Sequence, residues 1–317
     1  MAEKENQKKS HTGLKVAAAA LTTAAATAAY FKLTYEVFKK ACVRGATHFD
    51  TSEDTNVLAR VNTTWLESIP HQDRFIMSHD GLSLHGVTIP ASTDTHQWIL
   101  LIHGYDADCD QLLGLAKTYH ALGYHVLTID LRGFGLSEGD YITFGAKESD
   151  DINAWIEEVC ELDPGCNVIL HGLSLGAASA LIASSKCDNA ALKGVIADSS
   201  YSSYKDQMKF LCSKLFHVPG SSVLPGLSFW IKNKAGFDYE STDVAKAISI
   251  HGVPTLFFHG QNDHFIPLEH VYRLSNALNA AGIVEIVPYK CHGQCMLDGS
   301  YMKKCLLFVQ KQFIESV

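Results

Sequence analysis

The chain has 317 residues, 47% of them hydrophobic and 19% charged, with a formal net charge of −8. It holds enough apolar material to bury a large core, and an acidic balance of this size argues against the basic face that nucleic-acid binding requires. Strand and helix signals alternate along it, which favours one α/β domain with an insert over the two domains that length alone would allow.

Residues 1–13 are polar, and Lys15 then precedes Val16–Phe31, a run with nine alanines, three threonines and no charge. As a helix that run would span ~24 Å, short of the ~30 Å hydrocarbon core, and alanine is only weakly apolar. The expectation is a single N-terminal segment that associates with a membrane through residues 14–35 and leaves the catalytic domain outside the cytoplasm. Small-residue sites at Ala24–Ala28 keep cleavage and secretion open, and a soluble alanine-rich helix with a cytoplasmic location is the remaining alternative. Basic residues tie across the segment, Lys4, Lys8, Lys9 and Lys15 against Lys32, Lys39, Lys40 and Arg44, so charge sets no orientation. Residues 1–45 are set apart as this anchor or signal-like segment. A helical spacer is expected over 46–72, where Asp50–Glu53 supply cap residues ahead of Val57, Leu58, Val61 and Leu66 at helical spacing.

The domain proper, 73–317, opens with a hairpin in which Phe75–Met77 and Leu82–Ile89 flank Asp80–Gly81. Trp98–Ile102 is a continuous apolar run, as a strand buried on both faces requires, and it leads into His103–Gly104–Tyr105. His125–Asp130 reads as the next strand, and the glycine-punctuated turn Leu131–Gly139 after it is read as structural.

Val168–Leu170 drives straight into Gly172–Leu173–Ser174–Leu175–Gly176, with a helix-forming stretch immediately after. This Gly-x-Ser-x-Gly pattern is a nucleophile elbow, in which the glycines allow a sharp strand-to-helix turn that presents the serine hydroxyl. A hydroxyl is a poor nucleophile until a histidine takes its proton, so the remaining partners are sought downstream in the order acid, then histidine. Val253–Gly260 reads as a buried strand ending at Asp263, the expected acid, and Val284–Tyr289 as a further strand before His292, the expected base. Backbone N–H groups of Tyr105 and Leu175 are the expected oxyanion donors, the latter helped by the positive end of its helix.

These residues resemble the α/β-hydrolase superfamily over roughly residues 73 to 315, most closely the membrane-anchored bacterial hydrolases similar to the Bem46 and ABHD13/ABHD17-like groups. The shared marks are Asp80–Gly81, the turn Asp130–Ser137 and the segment Ala235–Asp238. The resemblance implies a mostly parallel sheet flanked by helices, with a small helical cap at 199–252 inserted before the acid strand. It also implies a triad of Ser174, Asp263 and His292, oxyanion amides at Tyr105 and Leu175, carboxylesterase-like (EC 3.1.1) or thioester hydrolysis of a small molecule, and no cofactor or metal.

Within the cap, Phe210, Leu211, Leu215, Phe216, Leu224, Leu227, Phe229 and Trp230 are too many for one crossover helix, so some are expected to line an apolar acyl pocket. No arginine lies between Ser199 and Gly252, which points to a neutral acyl or aryl group. Asp198 is the alternative acid. His103 and His171 read as local packing groups, and His259 and His264 sit too near the acid to be the base. Asp106, Asp108 and Asp110 lack the spacing of a calcium loop and read as a solvated turn. Nine cysteines leave at least one thiol without an intrachain partner. A zinc site at Cys291, His292 and Cys295 would remove the base from catalysis, so free thiols are favoured, with Cys160–Cys166 a possible pair in an oxidising compartment. A thioesterase or acylpeptide-type hydrolase is the enzymatic alternative, and a binding module that has kept the fold is the non-enzymatic one.

Overall fold

The computed structural model describes residues 2–46, 63–216 and 219–314, with side chains from Thr22 onward except those of Thr63 and Phe216. The predicted caps at Asp50–Glu53 and the apolar positions Val57, Leu58 and Val61 lie outside the described residues, while Leu66 falls in the short helix α2 (Thr63–Glu67). One sheet is built from β1 (Gln72–Met77), β2 (Ser83–Ile89), β3 (Gln97–Ile102), β4 (His125–Ile129), β5 (Asn167–Leu173), β6 (Leu192–Asp198), β7 (Thr255–Gly260) and β8 (Gly282–Val287). Its order is β1-β2-β4-β3-β5-β6-β7-β8, antiparallel for β1–β2 and β2–β4 and parallel from β4 onward.

The continuous apolar runs follow from burial on both faces. In β3, Trp98, Leu100 and Ile102 join one core while Ile99 and Leu101 join the other. The first core takes up residues of α4 (Glu148–Leu162), α5 (Leu175–Lys186), α8 (Val244–Ile250) and α9 (Glu269–Ala277). The second takes up α3 (Leu113–Ala121) and α10 (Tyr301–Ile314). The outer strand β1 alternates exposed and half-buried positions, as an edge with one solvated face should.

Two cap helices, α6 (Tyr204–Phe216) and α7 (Gly220–Trp230), pack on each other between β6 and α8. The N-terminal helix α1 (Ala2–Cys42) packs against α7. The expected membrane segment is corrected here: among the described residues, no helix is long and apolar enough to cross a membrane. Alanine and threonine supply too little apolar surface per turn, and the larger apolar residues near the helix end are used elsewhere. Val37, Phe38, Ala41 and Cys42 are buried in the first core. Tyr30 donates its hydroxyl to Ser222 O at 3.0 Å and accepts the Gly226 N–H at 2.9 Å. Gly226 is required at this crossing, because a Cβ there would stand 2.6 Å from Thr34 side-chain atoms.

Candidate active site

The carboxyl ends of the parallel strands converge on one edge of the sheet, the usual place for a ligand in an open α/β fold. Ser174 sits between β5 and α5 with φ 54° and ψ −111°, a backbone state that a non-glycine residue adopts only under strain. The flanking glycines are sterically compelled. A Cβ on Gly172 would lie 2.5 Å from the Gly176 backbone, and one on Gly176 would lie 2.3 Å from Ile102 O. The turn is fastened by Ser174 N–H donating to Asp198 O at 2.8 Å and Ala178 N–H donating to Ser174 O at 3.0 Å.

Asp263 follows β7 and His292 follows β8, and the structure brings both to Ser174. Ser174 Oγ lies 2.9 Å from His292 Nε2, and His292 Nδ1 lies 2.7 Å from Asp263 Oδ2. The carboxylate can only accept, so Nδ1 carries the proton and Nε2 is left to accept from the serine hydroxyl. The other carboxylate oxygen accepts the N–H groups of Phe265 and Ile266 at 2.9 and 2.7 Å. Burial pushes the Asp263 carboxyl up, but the charge and hydrogen bond of His292, with His259 and Ile266 behind them, hold it below the usual carboxylate range. All three side chains are buried.

Leu175 is the first residue of α5, so its N–H has no acceptor inside the helix. Tyr105 lies just beyond β3, and the two residues share with Ser174 the lining of one cavity. That cavity measures about 40 Å³. A second cavity, of about 30 Å³, adds His292 and Gln111 beside Ser174. Gln111 Oε1 accepts the Gly104 N–H at 2.8 Å, which ties down the loop that carries Tyr105.

Three other histidines near the strand ends have local partners. His103 accepts the Leu131 N–H at Nε2 and bonds Gly104 O at Nδ1. His171 lies between the hydroxyls of Tyr119 and Tyr301, and burial pushes it down to about 3. His259 donates Nε2–H to Ile266 O, with Asp263 Oδ2 at 3.5 Å. Asp198 accepts from Ser199 Oγ at 2.8 Å, while His292 Nδ1 is engaged by Asp263. Asp108 caps the short helix Cys109–Leu112, which accounts for one of the three acidic turn residues.

Both ring nitrogens of His292 are occupied within the triad geometry, which leaves none for a zinc ion shared with Cys291 and Cys295. Cys160 and Cys166 face each other with sulfurs 3.4 Å apart as thiols. His85, Cys109 and Asp130 place potential metal-ligand atoms within 4.8 Å of one another. Asp130, however, already accepts from the N–H groups of Cys109 and Leu136 and pairs with His85 Nδ1 at 2.8 Å. These bonds make the carboxylate a tether between the segment of Cys109 and the turn after β4.

Sequence reasoning misses several contributors. Ala41 of α1 lines the first cavity, as do Tyr201, Gln207 and Phe265. Gln207 donates Nε2–H to Phe265 O at 2.7 Å, and the Phe265 ring packs 5.0 Å from that of His292. Among the large apolar cap residues, Leu211 lines this cavity, whereas Phe229 and Trp230 pack their rings against Phe31 of α1.

A family described as serine aminopeptidase, S33 matches residues 93–249, just under half of the chain. The Bacillus subtilis protein YqkD, itself uncharacterized, is 28% identical over 201 residues, which are 63% of this chain and 65% of that protein. The uncharacterized Escherichia coli K12 protein YfhR is 28% identical over 202 residues, 62% of this chain and 64% of that one. The match therefore spans less than two thirds of these curated relatives. Among solved structures, an esterase of Pyrococcus furiosus superposes with a TM-score of 0.62 at 20% identity, covering 79% of this chain and 94% of its own. Est1E of Butyrivibrio proteoclasticus, solved with ferulic acid bound, gives a TM-score of 0.56 at 17% identity, covering 77% and 99%. With the sheet order and the strand-end position of the elbow, these likenesses establish that the chain has the α/β-hydrolase fold.

Proposed function

We propose that the protein is a serine hydrolase that cleaves carboxylic esters of small, neutral acyl or aryl groups through an acyl-enzyme intermediate. The observation that carries this reading is the unbroken hydrogen-bonded chain from Ser174 Oγ through His292 to Asp263, at the wall of a small cavity. In this scheme Ser174 Oγ attacks the acyl carbon while His292 Nε2 takes its proton. The oxyanion that forms is met by the backbone N–H groups of Tyr105 and Leu175. Collapse expels the alcohol, which receives the proton from His292, and leaves the acyl group on Ser174. Water then attacks the acyl carbon as it gives a proton to His292, and collapse breaks the bond to Ser174 Oγ, which takes that proton back as the acid leaves. Asp263 holds the imidazole tautomer throughout and stabilises the imidazolium.

The substrate class follows from the lining. Among the described residues of both cavities there is no lysine, arginine or carboxylate, which favours a neutral acyl group. The same feature weighs against an aminopeptidase, since a free α-amino group calls for an anionic partner. Thioester cleavage remains the closest alternative, because the same groups attack any acyl carbon. Within the fold we place the chain near the Bem46-like and ABHD13/ABHD17-like hydrolases, on its Asp80–Gly81, Asp130–Ser137 and Ala235–Asp238 segments.

The test is a comparison of p-nitrophenyl acetate and butyrate, an acyl thioester and an aminoacyl p-nitroanilide, using the full chain and Ser174→Ala. Turnover of the oxygen esters, lost in Ser174→Ala, is expected. Exclusive turnover of the thioester or the anilide would replace the ester reading, and undiminished activity in Ser174→Ala would remove the triad reading.

A further inference from the structure

The end of α1 is fastened to the body through the carbonyls of Lys40, Ala41 and Cys42 and through Arg44. The carbonyl oxygens of a last helical turn lack intrahelical donors. Here the Tyr105 hydroxyl lies 2.8 Å from Ala41 O and 3.1 Å from Lys40 O, and the Ile142 N–H donates to Cys42 O at 2.8 Å. Arg44 donates from its guanidinium to the carbonyls of Ser137 and Gly135. One helical repeat upstream, Phe38 packs its ring against Tyr141. The turn is thus clamped from the oxyanion loop, the turn after β4 and the segment before α4.

Ala41 is 1% exposed, and it shares the lining of the first cavity with Ser174, Phe144, Tyr204 and Leu211. Phe144 and Tyr204 are themselves stacked at 3.9 Å and leave little slack on that side. Ala41 is thus a fixed lining position of a space of about 40 Å³.

We infer that the last turn of α1 is a wall of the acyl-binding cavity, and that the small side chain of Ala41 sets the acyl length the cavity admits. This rests on the ester-hydrolase reading and adds a specificity-determining residue from a segment far from the elbow in sequence. The Tyr105 hydroxyl acts as the positioning group: it fastens this wall to the loop whose N–H is assigned to the oxyanion, so wall and oxyanion donor keep one geometry.

The experiment uses the full chain and two substitutions, Ala41→Leu and Ala41→Gly. The first readout is kcat/KM for p-nitrophenyl acetate, butyrate and hexanoate. The second is the rate at which Ser174 is labelled by short-chain and long-chain alkyl fluorophosphonates, which does not depend on the leaving group or the natural substrate. In Ala41→Leu the acetate-to-butyrate ratio should rise at least about tenfold, the low end of what one methylene is worth in a pocket. Labelling by the long-chain probe should slow in parallel while the short-chain probe keeps its rate. Ala41→Gly should shift both profiles toward longer chains, and it keeps the inference testable if the leucine variant fails to fold. Chain-length profiles identical to wild type in a folded variant would overturn the inference alone. Absence of labelling at Ser174 in the wild type would overturn the underlying reading and the inference with it.

Discussion

Gly176 and His103 approach each other so closely that a Cβ on the glycine would stand 2.4 Å from the histidine carbonyl oxygen. The elbow is therefore wedged against the end of β3, and the strained backbone of Ser174 is held by packing on both sides. Gly176→Ala must push the backbone of one strand end away from the other. It should destabilise the protein by about 2–4 kcal/mol in urea unfolding and abolish ester turnover in whatever folded fraction remains. Normal stability with normal turnover would show that the wedge is dispensable.

The two carboxylates at neighbouring strand ends separate by function. Asp263→Asn should lower kcat by about 10⁴-fold, because an amide no longer enforces the tautomer that leaves His292 Nε2 free to accept. Asp198→Asn should leave kcat within about tenfold of wild type, since Asp198 serves the elbow through its backbone carbonyl, which the substitution keeps. The opposite order would make Asp198 the triad acid.

Asp198 also predicts a pH dependence of stability. Burial pushes its carboxyl up to about 6, with the hydrogen bond from Ser199 and the charge of His292 opposing the rise. In the unfolded chain the group titrates near 3.9. The folded state thus favours the protonated form, so its contribution to stability is greatest below pH ~4, falls as pH rises toward ~6, and is constant above that. Asp198→Asn removes this loss. It should be more stable than wild type at pH 7–8 by roughly 1–3 kcal/mol and equal to it near pH 4, read from urea midpoints at the two pH values. An equal difference at both would mean that the carboxyl does not titrate on unfolding.

How much of this was legible in sequence varies by element. The apolar runs Trp98–Ile102 and Val168–Leu170 are unambiguous because both faces of these strands are buried, and Gly172 and Gly176 stand where only glycine fits. Asp263 and His292 follow from strand order, and the distances now join them to Ser174. The fate of α1 was not legible. An alanine-rich run carries the same local signal whether it meets lipid, water or protein, and its partners, Ser222, Gly226 and Trp230, lie far along the chain. Phe229 and Trp230 were misleading for the same reason. Their size signals burial but not against what, and the answer is Phe31 rather than a substrate.

A truncation series separates the two parts of α1. A chain starting after residue 21 retains the contacts of Tyr30, Thr34, Phe38 and Ala41, and should therefore keep ester turnover. Deletion of residues 1–45 removes four fully buried apolar or thiol side chains, Val37, Phe38, Ala41 and Cys42. At about 1.5–3 kcal/mol for each larger side chain, the loss should show as a lowered melting temperature or insolubility, with ester turnover strongly reduced. Full activity and stability in that deletion would show that α1 is no part of the site.

The central claim is that Ser174 is the acyl-enzyme nucleophile, and peptide mass spectrometry after fluorophosphonate treatment tests it most directly. The account predicts one adduct per chain, on Ser174, lost in Ser174→Ala and strongly slowed in His292→Ala. An adduct on a different serine, or ester turnover that persists with Ser174 unmodified, would contradict it.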